Sequence, residues 1–370
     1  MSSAQIMGLV ASGQATSRAD LSRMLGWAPS TVSAHVQELL DSGQLEESGV
    51  GSSRGGRRPR ILTVRGGAGV VLGADLGGHH GRIAVLDASG RLRTVRDIEL
   101  EIAAGPASVL EQVVGALTEL AAGRPVLGVG MGLPGPVDLT GVVVGPSRMP
   151  GWNRFSVSEW LAARFNAPIV VGNDADMMAV GEAVARGQGL RDFVFIKAGT
   201  GVGGAVVTDG RLHRGARGVA GGISHLRVPA GGDQPSSCGN FGCLGTIASG
   251  GALVAAVRRD GVDVHNTADL VRLARDGNPT VTTNVRFAGR QLGEALATMI
   301  NFFNPQAVIL GGALAGCDIF VAAARGALYD RCLPFTTQEL EIGESVAGAN
   351  AGLLGIGRLV VEQSIAAPLP

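Results

Sequence analysis

The chain has 370 residues, enough for two or three domains with cores of their own, and its 31 basic and 31 acidic side chains cancel. A neutral chain has no overall pull on nucleic acid or an anionic membrane, so any such affinity must be local. The 59 glycines follow no collagen-like period, no basic-then-apolar leader stands at the front, and four cysteines offer no disulfide framework, so the expected compartment is the cytoplasm.

In chain order, Ser17 and Asp20 stand at capping-box spacing and predict a short helix from Arg18 through Leu21 and Met24 to Gly26. Pro29 suits the first position of a second helix. There Val32, Val36, Leu39 and Leu40 fall at i, i+4, i+7 and i+8, which buries one stripe and turns Ser30, Thr31, Ser33, Ala34, His35 and Gln37 outward. Gly43 ends it. Two short helices joined by a tight turn, the second with small polar residues on its free face, predict a helix-turn-helix that lays a recognition helix in the major groove of duplex DNA.

Strands at 44–47 and 61–64 then flank a Gly/Ser loop carrying Arg54, Arg57, Arg58 and Arg60, with Arg65 just after. Five arginines and no acid between residues 51 and 65 outline a wing whose tip offers phosphate contacts or minor-groove entry. The alternative is an ordinary helical hairpin followed by a solvated basic linker.

After a linker at 66–69, the text from Val70 reads as strand, glycine turn, strand and a turn at 88–90. A helix near 106–122, a buried strand at 126–131, the run GLPGPVD, a strand at 168–171 and a helix opening at 172–176 toward Arg186 follow. Residues 193–212 repeat the strand, glycine turn, strand and Gly-Arg-Leu ending roughly 120 residues after the first copy, which predicts a duplicated α/β domain with each half giving a glycine hairpin to one cleft. A helix at 282–303, a strand at 307–310 and a final helix at 351–363 complete the chain. The uncharged run 295–317 is no membrane span, because Asn301, Asn304, Pro305 and Gln306 interrupt it. The expected units are 1–68, 69–190 and 191–370, with the C-terminal helix available to pack back on the first lobe.

The succession DLGG, GLPGPVD, PGW, NDAD, GTGVGG, SH…CGNFGC and NPQAVILGG behind a winged helix resembles the ROK family, over essentially the whole chain. The resemblance implies a two-lobed actin-like, hexokinase-type ATPase fold, a homodimer or homotetramer, and in the family's repressors an operator-binding front end answering to a sugar. It makes Asp75, Gly77 and Gly78 the remnant of a first phosphate loop and Gly201 and Gly203, with Gly199 and Gly204, that of a second. His79 replaces the usual hydroxyl residue, which argues against ATP. A glycine hairpin is also simply a tight turn.

By the same resemblance Asp174 matches the general base of the kinases, although Asn173 or Asp174 could equally cap the helix from Ala175. Asn173, Asp174 and His225 are the effector-contact candidates. Gly222 and Gly245 stand where the kinases carry sugar-binding glutamates, and Ser147 where many members have Asn. His225, Cys238 and Cys243 match three of four zinc ligands, with Ser236 in the place of the fourth; two reduced cysteines and a hydrogen-bonded histidine are the alternative. His79, His80 and His213 have no metal-ligand companions.

The reading is a DNA-binding transcriptional regulator, a repressor by analogy, whose kinase-like body has lost its chemistry and senses a sugar or other metabolite. Its rival is an active ATP-dependent sugar kinase with a DNA-binding appendage, and a constitutive DNA binder with an empty pocket is a third possibility.

Overall fold

Ser17 starts a helix as the capping pattern predicts: its Oγ accepts from the Asp20 amide at 3.2 Å, and α1 (Arg18–Leu25) ends on Gly26 at φ 67°. The computed structural model describes residues 6–7, 9–10, 15–50, 60–64, 69–145 and 149–366. Helix α2 (Pro29–Asp41) begins on its proline and buries Val32, Val36 and Leu39. Strands β1 (Leu45–Val50) and β2 (Arg60–Val64) pair antiparallel, slightly longer than expected. Leu21, Val32, Val36, Leu39, Leu45 and Leu62 close a small core with Ile6 and Val10, separate from those of the body. The carboxylate of Glu47 on β1 clasps Arg18 (2.6 Å) and Arg60 (2.8 Å), so Arg60 braces the hairpin from below.

The body is built on two sheets of identical plan. The first comprises β3 (Val70–Leu76), β4 (His80–Leu86), β5 (Leu92–Glu99), β6 (Val126–Leu133) and β7 (Ile169–Asn173), in the order β5-β4-β3-β6-β7, with α3 (Pro106–Ala121) and α4 (Val157–Ala162) between the later strands. Strands β3, β4 and β5 form an antiparallel meander, and β6 and β7 add in parallel. Helix α5 (Asp174–Arg186) then leads into β8 (Phe193–Ala198), β9 (Val202–Thr208) and β10 (Arg211–His213).

Next come α6 (Gly245–Ala248), α7 (Gly250–Arg259), α8 (Thr267–Arg275), α9 (Pro279–Phe303), β11 (Ala307–Gly311), α10 (Asp318–Arg331), α11 (Pro334–Thr337), β12 (Glu341–Glu344) and α12 (Ala351–Ala366). The second sheet has the order β10-β9-β8-β11-β12, again a meander followed by two parallel strands. The repeat legible at the glycine turns is therefore the repeat of a whole sheet. Short apolar runs such as Ala307–Gly311, buried at every position, are what a parallel strand covered on both faces requires.

Helix α12 returns to the first sheet, where Leu353, Ile356 and Val360 pack with Val71, Ala84, Leu86 and Met177. It lies against α5 through glycines: a Cβ on Gly181 would sit 1.8 Å from the Ala351 oxygen, and one on Gly355 1.8 Å from the Met177 oxygen. Beside this crossing the side chain of Glu182, 0% exposed, is held by Arg186 Nε (2.6 Å), Ser345 Oγ (2.6 Å) and the amides of Val346 and Ala347 (both 3.1 Å). A buried carboxylate with this many donors ties α5 to the connection between β12 and α12. Glu182→Ala leaves those donors unpaired and is expected to cost on the order of 3–5 kcal/mol, read as a lower urea midpoint at unchanged slope.

Candidate functional site

Three strand ends bring the site together. Asp75 is the penultimate residue of β3, opposite Gly132 of β6, Asn173 closes β7, and Lys197 lies on β8 of the other sheet. Gly132 is the spacer: a Cβ there would be 3.1 Å from Asp75 Oδ1 and 3.6 Å from the Asp174 Cα, so its bare backbone lets the two acids approach. The first turn of α12 covers the other side, since a Cβ on Gly352 would fall 2.1 Å from Asp75 Oδ2. Burial in that slot, reinforced by the charge of Asp174 and only partly offset by Lys197, pushes the Asp75 carboxyl up to about 7.

Asn173 is the helix cap. Its Oδ1 accepts from the Ala175 amide (3.0 Å), and its Nδ2 donates to the carbonyls of Gly135 (3.0 Å) and Leu133 (3.5 Å) in the GLPG loop. That side chain is thus spent on scaffold. Asp174, 4% exposed, accepts from the Ala175 amide with Oδ1 (2.7 Å) and from the Lys197 ammonium with Oδ2. Burial opposes the charge on Lys197, but the carboxylates of Asp174 and Asp75 outweigh it and hold its pKa above the ordinary lysine value.

Lys197 escaped the sequence reading, although one cation inside the apolar run FVFIKA was the available signal. Asp176, the last letter of NDAD, was also passed over. It is 3% exposed, and burial pushes its carboxyl up to about 7 against the pull of Arg214, whose Nε is buried without a partner among the described residues.

The two glycine loops differ. In the first, the Gly77 amide is used up on the His80 carbonyl (2.7 Å), and it is the His80 ring, 2.9 Å from a Cβ placed on Gly77, that packs there. His79 points outward to Glu101 (2.7 Å) and is 71% exposed, so the imidazole expected to obstruct this loop at position 79 does not lie over it. Gly78 has open space where a Cβ would be. In the second loop the carbonyls of Gly199 and Thr200 accept from the amides of Gly250 and Gly251 at the start of α7 (2.8 and 3.0 Å). Gly201 faces open space, whereas Gly203 is needed for packing, its Cβ falling 3.1 Å from that of Ala175.

Gly222 is exposed and unobstructed, whereas a Cβ on Gly245 would meet the Ser224 hydroxyl at 2.2 Å and the Ser224 carbonyl oxygen at 3.2 Å, so a side chain there needs the Ser224 hydroxyl to turn away. A cavity of about 510 Å³ opens beside the cleft, lined by Pro136, Leu139, Val144, Val219 and Arg217; it is mainly apolar and does not include Asp174.

His225, Cys238 and Cys243 do converge, with one donor atom from each within 4.8 Å of the others, and the group could hold a metal ion. Cys238 Sγ lies 3.6 Å from Cys243 Sγ and 3.5 Å from Ser236 Oγ. Hydrogen bonds from Ser236 and the Asn240 amide bring the Cys238 thiol down to about 7, while burial raises that of Cys243.

On α2, Ser30, Ser33 and Gln37 are exposed, Gln37 donating to Asp41 (2.8 Å). Thr31 and His35 are half-buried. His35 stands three residues after Val32, at the flank of the apolar stripe, and its ring leans on Trp27 at 5.7 Å and reaches Glu38 at 3.3 Å. Arg54, Arg57, Arg58, Arg65 and Ser147 lie outside the described residues. Among the described residues no helix is long and apolar enough to cross a membrane.

Residues 71–363 match the model of the ROK family. A putative xylose repressor of Caldicellulosiruptor sp. (strain Rt8B.4) is 27% identical over 95% of this chain and 93% of its own length. A solved ROK family transcriptional regulator, a homolog of the E. coli MLC protein, superposes with a TM-score of 0.79 at 25% identity, covering 98% of this chain and 95% of its own. A ROK family glucokinase from Streptomyces griseus, solved with glucose and AMPPNP, has a TM-score of 0.69 and 28% identity, covering 79% of this chain and 99% of its own.

Asp75 and Asp176 are protonated more readily in the folded than in the unfolded chain, so stability falls as pH rises from the ordinary aspartate range through about 7. Asp176→Asn removes one of these two contributions. The loss of melting temperature between about pH 5 and about pH 8 is expected to be smaller in this variant than in the parent, by scanning calorimetry.

Proposed function

Because the chain belongs to the ROK family, we propose that it is a DNA-binding transcriptional repressor whose kinase-like body senses a sugar or another small metabolite. One observation carries this reading. The repressor and the solved regulator align with 95% and 98% of the chain, whereas the glucokinase aligns with 79%, and the family match begins at residue 71, just beyond the helix-turn-helix unit. The front end is what this chain shares with regulators.

Short polar side chains on α2 admit close approach to base edges, and the arginines of the wing supply the phosphate or minor-groove contacts that a neutral chain otherwise lacks. The effector binds near Asp174 and Lys197, between the two sheets. A ligand preferring one closure of the lobes shifts the population toward it and changes the separation of two winged helices in a dimer, hence their fit to half-sites. A homodimer or homotetramer in the cytoplasm is the working form.

Kinase activity is not part of the proposal. Asp174 is held in place by the Ala175 amide and by Lys197. Two positions that would carry sugar-binding glutamates are Gly222 and Gly245, and neither glycine offers an acceptor side chain. Zinc, if bound, sits on His225, Cys238 and Cys243 with the weak Ser236 hydroxyl or water completing four positions, and braces the loop.

Replacing Arg57 and Arg58 by Ala is expected to weaken binding alike on all DNA sequences and reduce its salt dependence, by anisotropy titrations at several salt concentrations. Ser33→Ala or Gln37→Ala should instead shift sequence preference. Equal affinity of the arginine variant at moderate salt would refute the wing assignment. With ATP and a panel of hexoses the chain is expected to form no more sugar phosphate than Asp174→Asn, while a thermal-shift screen of metabolites should find a ligand that raises the melting temperature.

A further inference from the structure

Cys238 and Cys243 sit on a tight loop in which the Ser236 amide donates to the Asn240 carbonyl (2.8 Å), the Gly239 amide to the Ser236 carbonyl (3.0 Å), and Pro235 bridges to Phe241. Gly239 and Gly242, at φ 84° and 68°, make the turns that fold the two thiols onto each other. Their sulfurs are 3.6 Å apart, and a disulfide bond of about 2.05 Å is reached by a closure of about 1.5 Å, within the scope of side-chain rotation on such a loop. Cys238 is half-buried and accessible, whereas Cys243 is 1% exposed beneath it. The Ser236 hydroxyl, 3.5 Å from Cys238 Sγ, cannot form a covalent bond to the oxidised sulfur in competition with Cys243.

We propose that Cys238 and Cys243 are a redox-sensitive modification site that closes to a reversible disulfide on exposure to a hydroperoxide. Cys238 sulfur attacks the peroxide oxygen, the O–O bond breaks, and the thiol proton leaves with the departing alkoxide or hydroxide as alcohol or water. Cys243 then attacks the resulting sulfenic sulfur, its S–H proton leaves with the hydroxyl as water, and the S–S bond forms. Two thiols lose two electrons and the peroxide gains them. Intracellular disulfides of this kind are transient and sensing, and a reducing dithiol reverses the bond.

The position matters to the cleft. Cys243 leads directly into α6, and Ser249 after it caps α7, whose first two amides hold the carbonyls of the second glycine loop. The other two cysteines, Cys317 and Cys332, are buried in the core of the second lobe and serve as internal references.

A metal on His225 and both thiols would shield them, so the full chain is treated with hydrogen peroxide both after chelation and with added Zn²⁺, then alkylated and digested. In the chelated sample two of the four thiols are expected to resist alkylation, and the peptide spanning 228–258 to lose two hydrogens and regain them with dithiothreitol. Added Zn²⁺ should slow this reaction. Cys243→Ser should leave a sulfenic acid on Cys238 that dimedone traps. The proposal is overturned if all four thiols of the chelated parent still alkylate, or if Cys238 proceeds to sulfinic acid while Cys243 stays alkylatable.

Discussion

Helix α12 can reach its place only because α5 and α12 meet backbone to backbone. At Gly181 and Gly355 a single methyl group would lie 1.8 Å from a main-chain oxygen of the opposite helix, a separation that no side-chain adjustment relieves. That contact sets the depth of the cleft. It lowers the start of α12 onto Asp75 through Gly352 and fixes the start of α5, hence Asp174, on the far side of Gly132. Buried Glu182 closes the same junction with hydrogen bonds to the chain arriving from β12, so the second sheet, the returning helix and the acid-bearing helix are joined at one place.

Around this junction the charges are arranged as a closed set. Lys197 from one sheet meets Asp174 and Asp75 from the other side, and Arg214 faces Asp176. Asp174 is paired with Lys197, the Gly77 amide is spent within its own turn, and the carbonyls of Gly199 and Thr200 tie the second glycine loop to α7. The Lys197–Asp174 pair thus links β8 of the second sheet to the start of α5 beside the first.

The N-terminal unit is held together separately. Its core is small and its own, and its charges are local: Glu47 uses two arginines to stiffen the hairpin. Half-burial of His35 against Trp27 leaves Ser30, Ser33, Ala34, Gln37 and Glu38 as the exposed residues of the middle of α2.

Local signals were enough to place the capped helix at Ser17, the proline start of α2, the two strand-glycine-strand units and the apolar strand at Ala307–Gly311, because each rests on interactions within a few residues. The order of short motifs was likewise enough to single out Asp75, Asp174, His225, Cys238 and Cys243. It could not separate the roles of Asn173 and Asp174. Which of two adjacent residues caps and which faces the cleft depends on the GLPG loop that receives the Asn173 amide and on Lys197, 23 residues further on and in another sheet. Nor could it show that His79 turns away while His80 packs on Gly77, or that the Ser224 hydroxyl lies against Gly245. Those outcomes are matters of distance between segments remote in the chain, and such distances exist only once the two sheets and the returning helix have packed.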